Sequence, residues 1–223
     1  MKRLLIQQIE WNNPKVEDIA LQFDKAAVPF HRIDTVNWKS YPYCPEVSFR
    51  IAHNGEAILL NYRINESDIK AVCDQDNGRI WEDSCVEFFI SFTEGSYYNI
   101  ECNCIGKILI GKGSGRGENR IRLPESMLEK VDRRSSLGNL PVANRSGDWE
   151  VSLIIPKEIF SPEITSTFNN AKARGNFYKC GDLLQTPHFL SWNPILSETP
   201  NFHLPEFFGK LEFEPCMVTV SIH

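Results

Sequence analysis

The chain has 223 residues, of which 42% are hydrophobic and 24% charged, and its net charge at pH 7 is −5. This composition is that of an ordinary globular chain and argues against intrinsic disorder. The acidic balance and the lack of a basic stripe interleaved with aromatics argue against nucleic acid as a partner, and no apolar run is long enough to cross a bilayer.

The chain begins MKRLLIQQIEW, a basic start followed by a short apolar stretch. Gln7, Gln8 and Glu10 interrupt this stretch before it reaches the roughly 7–15 apolar residues of a secretory signal. We therefore expect a cytoplasmic location, or a secreted or periplasmic one if an export signal lies outside the given sequence. No membrane partner is expected.

Seven cysteines are present, and no two of them form a CxxC pair. Structural zinc usually requires such paired knuckles, so no metal site is predicted from this pattern. We expect reduced, mostly buried thiols that pack as small apolar residues.

Helical periodicity is scarce, and the first candidate is a short helix or irregular segment over Pro14–Phe23. Glu46–His53 and Ala57–Ile64 alternate in hydropathy on either side of Asn54-Gly55, which predicts a β-hairpin. The later predicted strands are Ser84–Phe92, Tyr97–Cys104, Lys107–Gly111, Arg120–Leu123, Trp149–Pro156, Ala171–Cys180, Phe189–Trp192 and Lys210–Glu214.

Between these strands lie a second short helix over Glu125–Val131 and two predicted loops. Gly111–Gly117 lacks the Lys-Ser/Thr ending of a phosphate-binding loop and is interpreted as a flexible turn. Arg133–Gly147 is polar and is expected to wrap a sheet edge. Many short strands with such punctuation predict an all-β fold, an antiparallel β-sandwich of jelly-roll or immunoglobulin type, as a single domain over residues 1–223.

Three predicted strands share a polar pattern on alternate residues, which places one set of side chains on one face. If the strands are neighbours, that face is an ordinary solvated sheet face or a ligand-binding face. The second interpretation is favoured by its planar amide, carboxyl, guanidinium and phenol groups, which suit the vicinal hydroxyls of a sugar. The residues concerned are Glu87, Asn99, Glu101, Asn103, Arg174, Asn176 and Tyr178.

Two aromatic residues next to this face are candidate stacking platforms for a sugar ring, Trp81 before its strand and Phe202 in a later loop. Trp81 is alternatively a core residue, whereas Trp149 and Trp192 lie in apolar strands and are predicted to be core. Two histidines of the same region, His188 and His203, admit either a ligand-facing or a structural role.

The segment Trp81–Ile90, WEDSCVEFFI, resembles the W-x-D-x-x-V-E signature of family 9 carbohydrate-binding modules. Tyr98–Gly106 is similar to the strand that follows in the family. Leu190–Pro194 and Phe202–Leu211 resemble its closing S-W-x-P and aromatic-x-x-P-x-x-F-G-x-L motifs. The resemblance extends over about residues 81–213.

The resemblance implies a non-catalytic module that holds a terminal sugar between two aromatic rings, here Trp81 and Phe202. Phe202 stands where the family has a second tryptophan, and Glu101 stands where an arginine is expected. The implied partners are a saccharide and a polysaccharide-degrading enzyme. Structural calcium occurs in the family, but no acidic loop here identifies its ligands, and no other cofactor is predicted. The implied hydrogen-bonding residues are Glu87, Glu101 and Tyr178 or Asn176, with Asn103 nearby.

Two alternatives stay open. Glu87 and Glu101 could be the carboxyl pair of a glycoside hydrolase, since residues on neighbouring strands can meet either the roughly 5–5.5 Å or the roughly 6.5–9.5 Å separation of such enzymes. The chain could instead be an interaction domain whose sugar site has decayed.

Overall fold

A computed structural model describes residues 1–117 and 120–216. Within these residues the helices are short: α1 is Ile19–Lys25, α2 is Glu125–Leu128, and the 3-10 turns are Val16–Asp18, Ile80–Glu82, Lys157–Phe160 and Pro205–Phe207. The strands are β1 Arg3–Gln8, β2 His31–Arg32, β3 Thr35–Val36, β4 Glu46–His53, β5 Ala57–Ala71, β6 Cys85–Thr93, β7 Ser96–Asn103, β8 Ile108–Gly113, β9 Arg120–Arg122, β10 Asp132–Ser135, β11 Val142–Pro156, β12 Lys172–Cys180, β13 Phe189–Ser191 and β14 Gly209–Phe213.

The strands form a curled sheet with two halves that pack face to face. One half has the order β10-β11-β5-β4 and the other the order β14-β12-β6-β7-β8-β9. Strand β1 joins them, because it pairs with β14 through Arg3–Ile6 and with β4 through Gln7 and Gln8. Both of these pairings are parallel, whereas all other neighbours on this path pair antiparallel.

The core lies between the two halves. The ring of Phe49 on β4 stacks on Phe177 of β12 at a centroid distance of 3.8 Å, and Phe88 of β6 stacks on the same ring at 4.7 Å. The hydroxyl of Tyr62 on β5 donates a hydrogen bond of 3.0 Å to the backbone oxygen of Glu87 on β6. These contacts across the interior confirm the predicted β-sandwich.

The predicted hairpin of β4 and β5 is confirmed, and its turn is held by the Asn54 side-chain oxygen, which accepts from the amides of Glu56 and Ala57. Trp149 and Trp192 are 2% and 4% exposed, so their assignment to the core is confirmed. The interpretation of residues 133–147 as a loop is wrong in part, because β10 and the start of β11 occupy much of it. Strand β1 was not predicted from the sequence.

Seven cysteines are unpaired, and four of them are buried, at positions 85, 102, 104 and 180. Among the described residues, no helix has the length and apolar character that a bilayer crossing requires.

Candidate functional site

The register of β12, β6 and β7 confirms that the predicted polar residues share one sheet face. Glu87 on β6 lies opposite Glu101 on β7 and opposite Tyr178 on β12. Two residues further along β6, Phe89 lies opposite both Asn99 on β7 and Asn176 on β12. Because residues two apart on a strand point the same way, the remaining members of the set fall on this face as well.

A cavity of about 380 Å³ lies over the β6–β9 part of this face. Ligand pockets commonly begin at roughly this size. Five of the predicted site residues line it: Trp81, Glu87, Asn99, Glu101 and Phe202. The other side chains that matter for its chemistry are Arg116, Arg120, Arg122, Cys180, Asp182, Phe189, Asn201 and His203.

Trp81 reaches the cavity because the 3-10 turn before β6 is tied to the end of β5. The buried Asp83 carboxylate accepts the amides of Val72 at 2.9 Å and Cys73 at 3.1 Å. Asn103 donates to the same carboxylate at 2.9 Å and to the Cys73 backbone oxygen at 2.9 Å. The structure therefore places Asn103 outside the cavity lining, where its amide holds the turn that carries Trp81.

The two aromatic residues of the cavity differ in exposure. Trp81 is half-buried, and the Arg122 guanidinium lies 5.9 Å from the centre of its ring. Phe202 is only 8% exposed, because its ring stacks on Tyr178 at 4.2 Å with an interplanar angle of 8°. Trp81 thus offers the larger free surface for stacking.

A hydrogen-bond chain leads to the Glu101 carboxyl. Arg120 donates to the Asn99 side-chain oxygen, and the Asn99 amide nitrogen donates to Glu101 Oε1 at 2.8 Å. Gly111 on β8 is required beside this chain, because a Cβ there would lie 2.5 Å from the Asn99 oxygen. Glu101 Oε2 is buried and has no partner among the described residues.

Both carboxyl groups of this face are harder to ionise than a free glutamate. Burial raises the pKa of Glu101 to about 7, although the bond from Asn99 and the charge of Arg120 oppose the shift. Burial, and then the neighbouring Glu101, raise the pKa of Glu87 well above its usual range. Glu87 also accepts a bond of 3.1 Å from the Cys180 thiol. Burial raises the pKa of Asp182 to about 6.

The predicted residues on β12 do not line the cavity, because their side chains hold the covering segment, residues 193–208. Arg174 donates to the backbone oxygens of Glu206 and Phe208, each at 3.1 Å. Asn176 donates to the Asn193 oxygen at 2.9 Å and accepts from its amide at 2.8 Å. The Tyr178 hydroxyl donates to the Phe202 oxygen at 3.2 Å.

Several cavity residues were not predicted from the sequence. Arg120 and Arg122 alternate on β9, and this spacing could have signalled a shared face, but only the pairing of β9 with β8 brings them to the cavity. His203, for which the sequence left a ligand-facing or a structural role open, lies in the lining, and its Nδ1 is 2.9 Å from the Tyr97 hydroxyl. Burial lowers the pKa of His203 to about 3, with the charges of Arg120 and Arg116 acting in the same direction.

The other histidine considered from the sequence does not face the cavity. His188 is fully buried, and its Nε2 lies 2.8 Å from the Lys179 ammonium, which in turn pairs with Glu66 at 2.8 Å. Burial, and then Lys179, lower the pKa of His188 to about 3.

Over residues 1–117 and 120–216, a single group of three His, Cys, Asp or Glu side chains is close enough to share an ion: Cys85, Glu87 and Cys180. Calcium prefers six to eight oxygen ligands. The two thiols of this group therefore do not suit the structural calcium that occurs in the family that the sequence resembles.

Solved structures of similar fold include carbohydrate-binding proteins. A putative carbohydrate-binding protein from Bacteroides uniformis ATCC 8492 is 46% identical, with 96% of this chain and 99% of that chain covered and a TM-score of 0.91. A family 9 carbohydrate-binding module from Caldicellulosiruptor kristjanssonii in complex with glucose is 12% identical, with a TM-score of 0.63 over 99% of this chain and 100% of that one. A module of the same family and organism in complex with cellotriose is 11% identical, with a TM-score of 0.60 over 100% and 98%.

No curated protein matches the chain. The family model described as carbohydrate-binding family 9 matches residues 17–213, which is most of the sequence. The chain therefore belongs to carbohydrate-binding family 9.

Proposed function

We propose that this chain binds the terminal sugar unit of an oligosaccharide or polysaccharide in the cavity over β6–β9, without transforming it. The observation that carries the proposal is Glu101 Oε2, a buried carboxyl oxygen in the cavity lining with no partner among the described residues. A buried polar atom without a partner costs free energy, and a ligand hydroxyl would remove that cost.

The surrounding groups suit a sugar. In the cavity lining, Asn99, Glu101 and Arg122 offer amide, carboxyl and guanidinium groups, and the half-buried Trp81 offers an apolar ring for the C–H face of a pyranose. The second ring, Phe202, contributes less surface because Tyr178 covers one of its faces. The site therefore combines one-sided stacking with directional hydrogen bonds.

These contacts predict a weak interaction. Stacking contributes about 0.5–1.5 kcal/mol, and each hydrogen bond adds about 0.5–1.5 kcal/mol. The loss of translational and rotational freedom opposes both. The expected Kd therefore lies in the range from roughly micromolar to millimolar. A module of this strength supports carbohydrate breakdown by raising the local concentration of an associated degrading enzyme on its substrate.

The first test is calorimetric titration of the purified chain with glucose and cellotriose, the sugars named for the two Caldicellulosiruptor complexes. Other mono- and oligosaccharides follow in a thermal-shift screen. Saturable binding supports the proposal. If no sugar binds or shifts the melting temperature, the alternative of an interaction domain without a sugar site is favoured instead. Release of reducing sugar by the wild type but not by Glu87→Gln would instead establish a hydrolase.

The terminal mode needs its own measurement. A soluble polysaccharide that binds in the screen is shortened by partial hydrolysis at constant mass, which multiplies chain ends without adding interior units. Terminal binding predicts that protein bound per gram rises in proportion to the number of ends. An unchanged capacity per gram would show that interior units are bound.

A further inference from the structure

Two thiols and a carboxyl group converge at the floor of the cavity. Cys85 on β6 lies directly opposite Cys180 on β12, and Glu87 lies two residues further along the same face of β6. All three side chains are buried, and one ligand atom from each lies within 4.8 Å of the other two. The closest pair is Cys180 Sγ and Glu87 Oε1, at 3.1 Å.

This spacing is close to that of the ligands of one tetrahedral ion. Zinc binds thiolate sulfur at about 2.3 Å and carboxylate oxygen at about 2.0–2.2 Å, so ligands at tetrahedral angles are separated by roughly 3.5–3.8 Å. The donors of Cys85, Glu87 and Cys180 lie within 4.8 Å of one another, so movements on the order of 1 Å bring them to this separation. We propose that these three residues bind a thiophilic metal ion of the Zn²⁺ class.

The type of donor selects the type of ion. Thiolates favour zinc and other soft or borderline ions over calcium and magnesium, which prefer oxygen. Two cysteines and one glutamate supply three protein ligands, the number found in zinc sites that keep one position open. Glu87 and Cys180 line the cavity and Cys85 does not, so the open position faces the cavity.

A second observation comes from the neighbouring strand. Glu101 lies directly opposite Glu87 on β7, and its Oε2 is buried and without a partner among the described residues. When no sugar is bound, an oxygen in this place can accept a hydrogen bond from a water molecule on the ion. Such outer acceptors commonly accompany metal ligands.

Cysteine and glutamate bind a metal ion as anions, so binding releases protons to the solvent and affinity increases with pH. The inference does not rest on sugar binding and is tested without sugar.

The experiment is a titration of the reduced, metal-free protein with Co²⁺, a spectroscopic substitute for zinc, followed by Zn²⁺. We expect thiolate-to-cobalt charge-transfer bands and tetrahedral d–d bands that saturate at one equivalent, and their loss when Zn²⁺ is added. Cys180→Ser should lose the charge-transfer intensity. Cys102→Ser, which removes a buried thiol on the opposite face of β7, should retain it.

The absence of bands in the folded wild type would overturn the proposal, as would equal bands in Cys180→Ser. If Cys180→Ser does not fold, Glu87→Gln replaces it, with the fold checked by circular dichroism. That variant should weaken Co²⁺ binding at least tenfold, and unchanged affinity would exclude Glu87 as a ligand and with it the proposed set.

Discussion

The polar face of the second half-sheet has two regions with different roles. In the cavity region, Glu87, Asn99 and Glu101 on β6 and β7 face open space, and one carboxyl oxygen has no partner among the described residues. In the anchoring region, Arg174, Asn176 and Tyr178 on β12 bind backbone atoms of residues 193–208. The same residue types on the same face therefore line an open cavity in one region and hold a covering segment in the other.

The difference arises from what covers each region. Residues 193–208 lie over β12, so its polar groups exchange water for backbone partners. The middle of the segment forms one wall of the cavity and contributes Asn201, Phe202 and His203 to its lining. The anchoring region thus holds the segment that forms one wall of the cavity, and the cavity region lines the rest of it.

The largest expected effect is in the core, on the face of β12 opposite the anchoring region. Trp192 follows β13 and packs edge-on against Phe177 at 5.8 Å and Phe49 at 6.4 Å. Trp192→Ala should therefore reduce the free energy of unfolding by about 3–5 kcal/mol, measured by urea denaturation. The control, Trp81→Ala, should lose much less stability because its side chain is half-buried. A loss near zero in Trp192→Ala would mean that this ring does not belong to the core.

Asn176→Ala should have the next largest effect. It removes two buried bonds to Asn193 and leaves the Asn193 backbone amide without a partner, whereas the Asn193 oxygen keeps its bond from the Ser191 hydroxyl. We therefore expect a loss of about 2–3 kcal/mol of unfolding free energy. Asn65→Ala, which removes an exposed bond to Asp148, is the matched control and should lose well under 1 kcal/mol. Reduced sugar affinity with unchanged stability in Asn176→Ala would reassign this residue to the cavity region.

In the cavity region, we expect Glu101 to make the free energy of unfolding depend on pH. The pKa of Glu101 is about 7 in the folded protein, whereas the ordinary value for a glutamate is 4.5. Between these values the folded state holds more protons than the unfolded state, so this group lowers stability as pH rises from about 4.5 to 7. Glu101→Gln removes that contribution.

We therefore expect Glu101→Gln to gain stability relative to the wild type, on the order of 1–3 kcal/mol, when the pH is raised from 4.5 to 8. Urea denaturation at both pH values measures the change, and Glu94→Gln in the exposed turn after β6 is the control. Equal pH profiles for the wild type and Glu101→Gln would show that Glu101 ionises as an exposed carboxyl does.

The smallest effect is expected at Arg174, an exposed residue of the anchoring region. Arg174→Ala loses two bonds to backbone oxygens near solvent, so stability should fall by about 0.5–1 kcal/mol. Sugar affinity, measured by calorimetry, should stay within about twofold. A tenfold loss of affinity at nearly unchanged stability would place Arg174 in the binding site.

The sequence pattern is sufficient to predict which face each of these side chains occupies. Alternation along Tyr97–Cys104 and Ala171–Cys180 has a period of two, and the observed register agrees with it. Most of the predicted strands lie within a few residues of the observed ones, but β5 and β11 each extend seven residues beyond the predicted Ala57–Ile64 and Trp149–Pro156. Strand β1 was missed because its partners, β4 and β14, are distant in sequence and the pairing leaves no local signal.

The division of the polar face into a cavity region and an anchoring region could not be predicted from the alternation of residues. Whether Asn99 or Asn176 meets a ligand depends on where residues 193–208 lie, and this is set by tertiary contacts. The role of Asn103 could not be predicted for the same reason, because its side-chain amide donates to Asp83 and to the Cys73 backbone oxygen through tertiary contacts. Arg120 and Arg122 enter the site through the pairing of β9 with β8, which a three-residue strand scarcely signals.

The most direct test of sugar binding in the cavity region is calorimetric titration of Trp81→Ala with the best sugar of the screen, beside the wild type and Arg174→Ala. Loss of the stacking ring should weaken binding by roughly two- to tenfold at unchanged fold, while Arg174→Ala binds as the wild type does. Equal affinity in all three proteins would contradict the placement of the sugar against Trp81 and with it the proposed site.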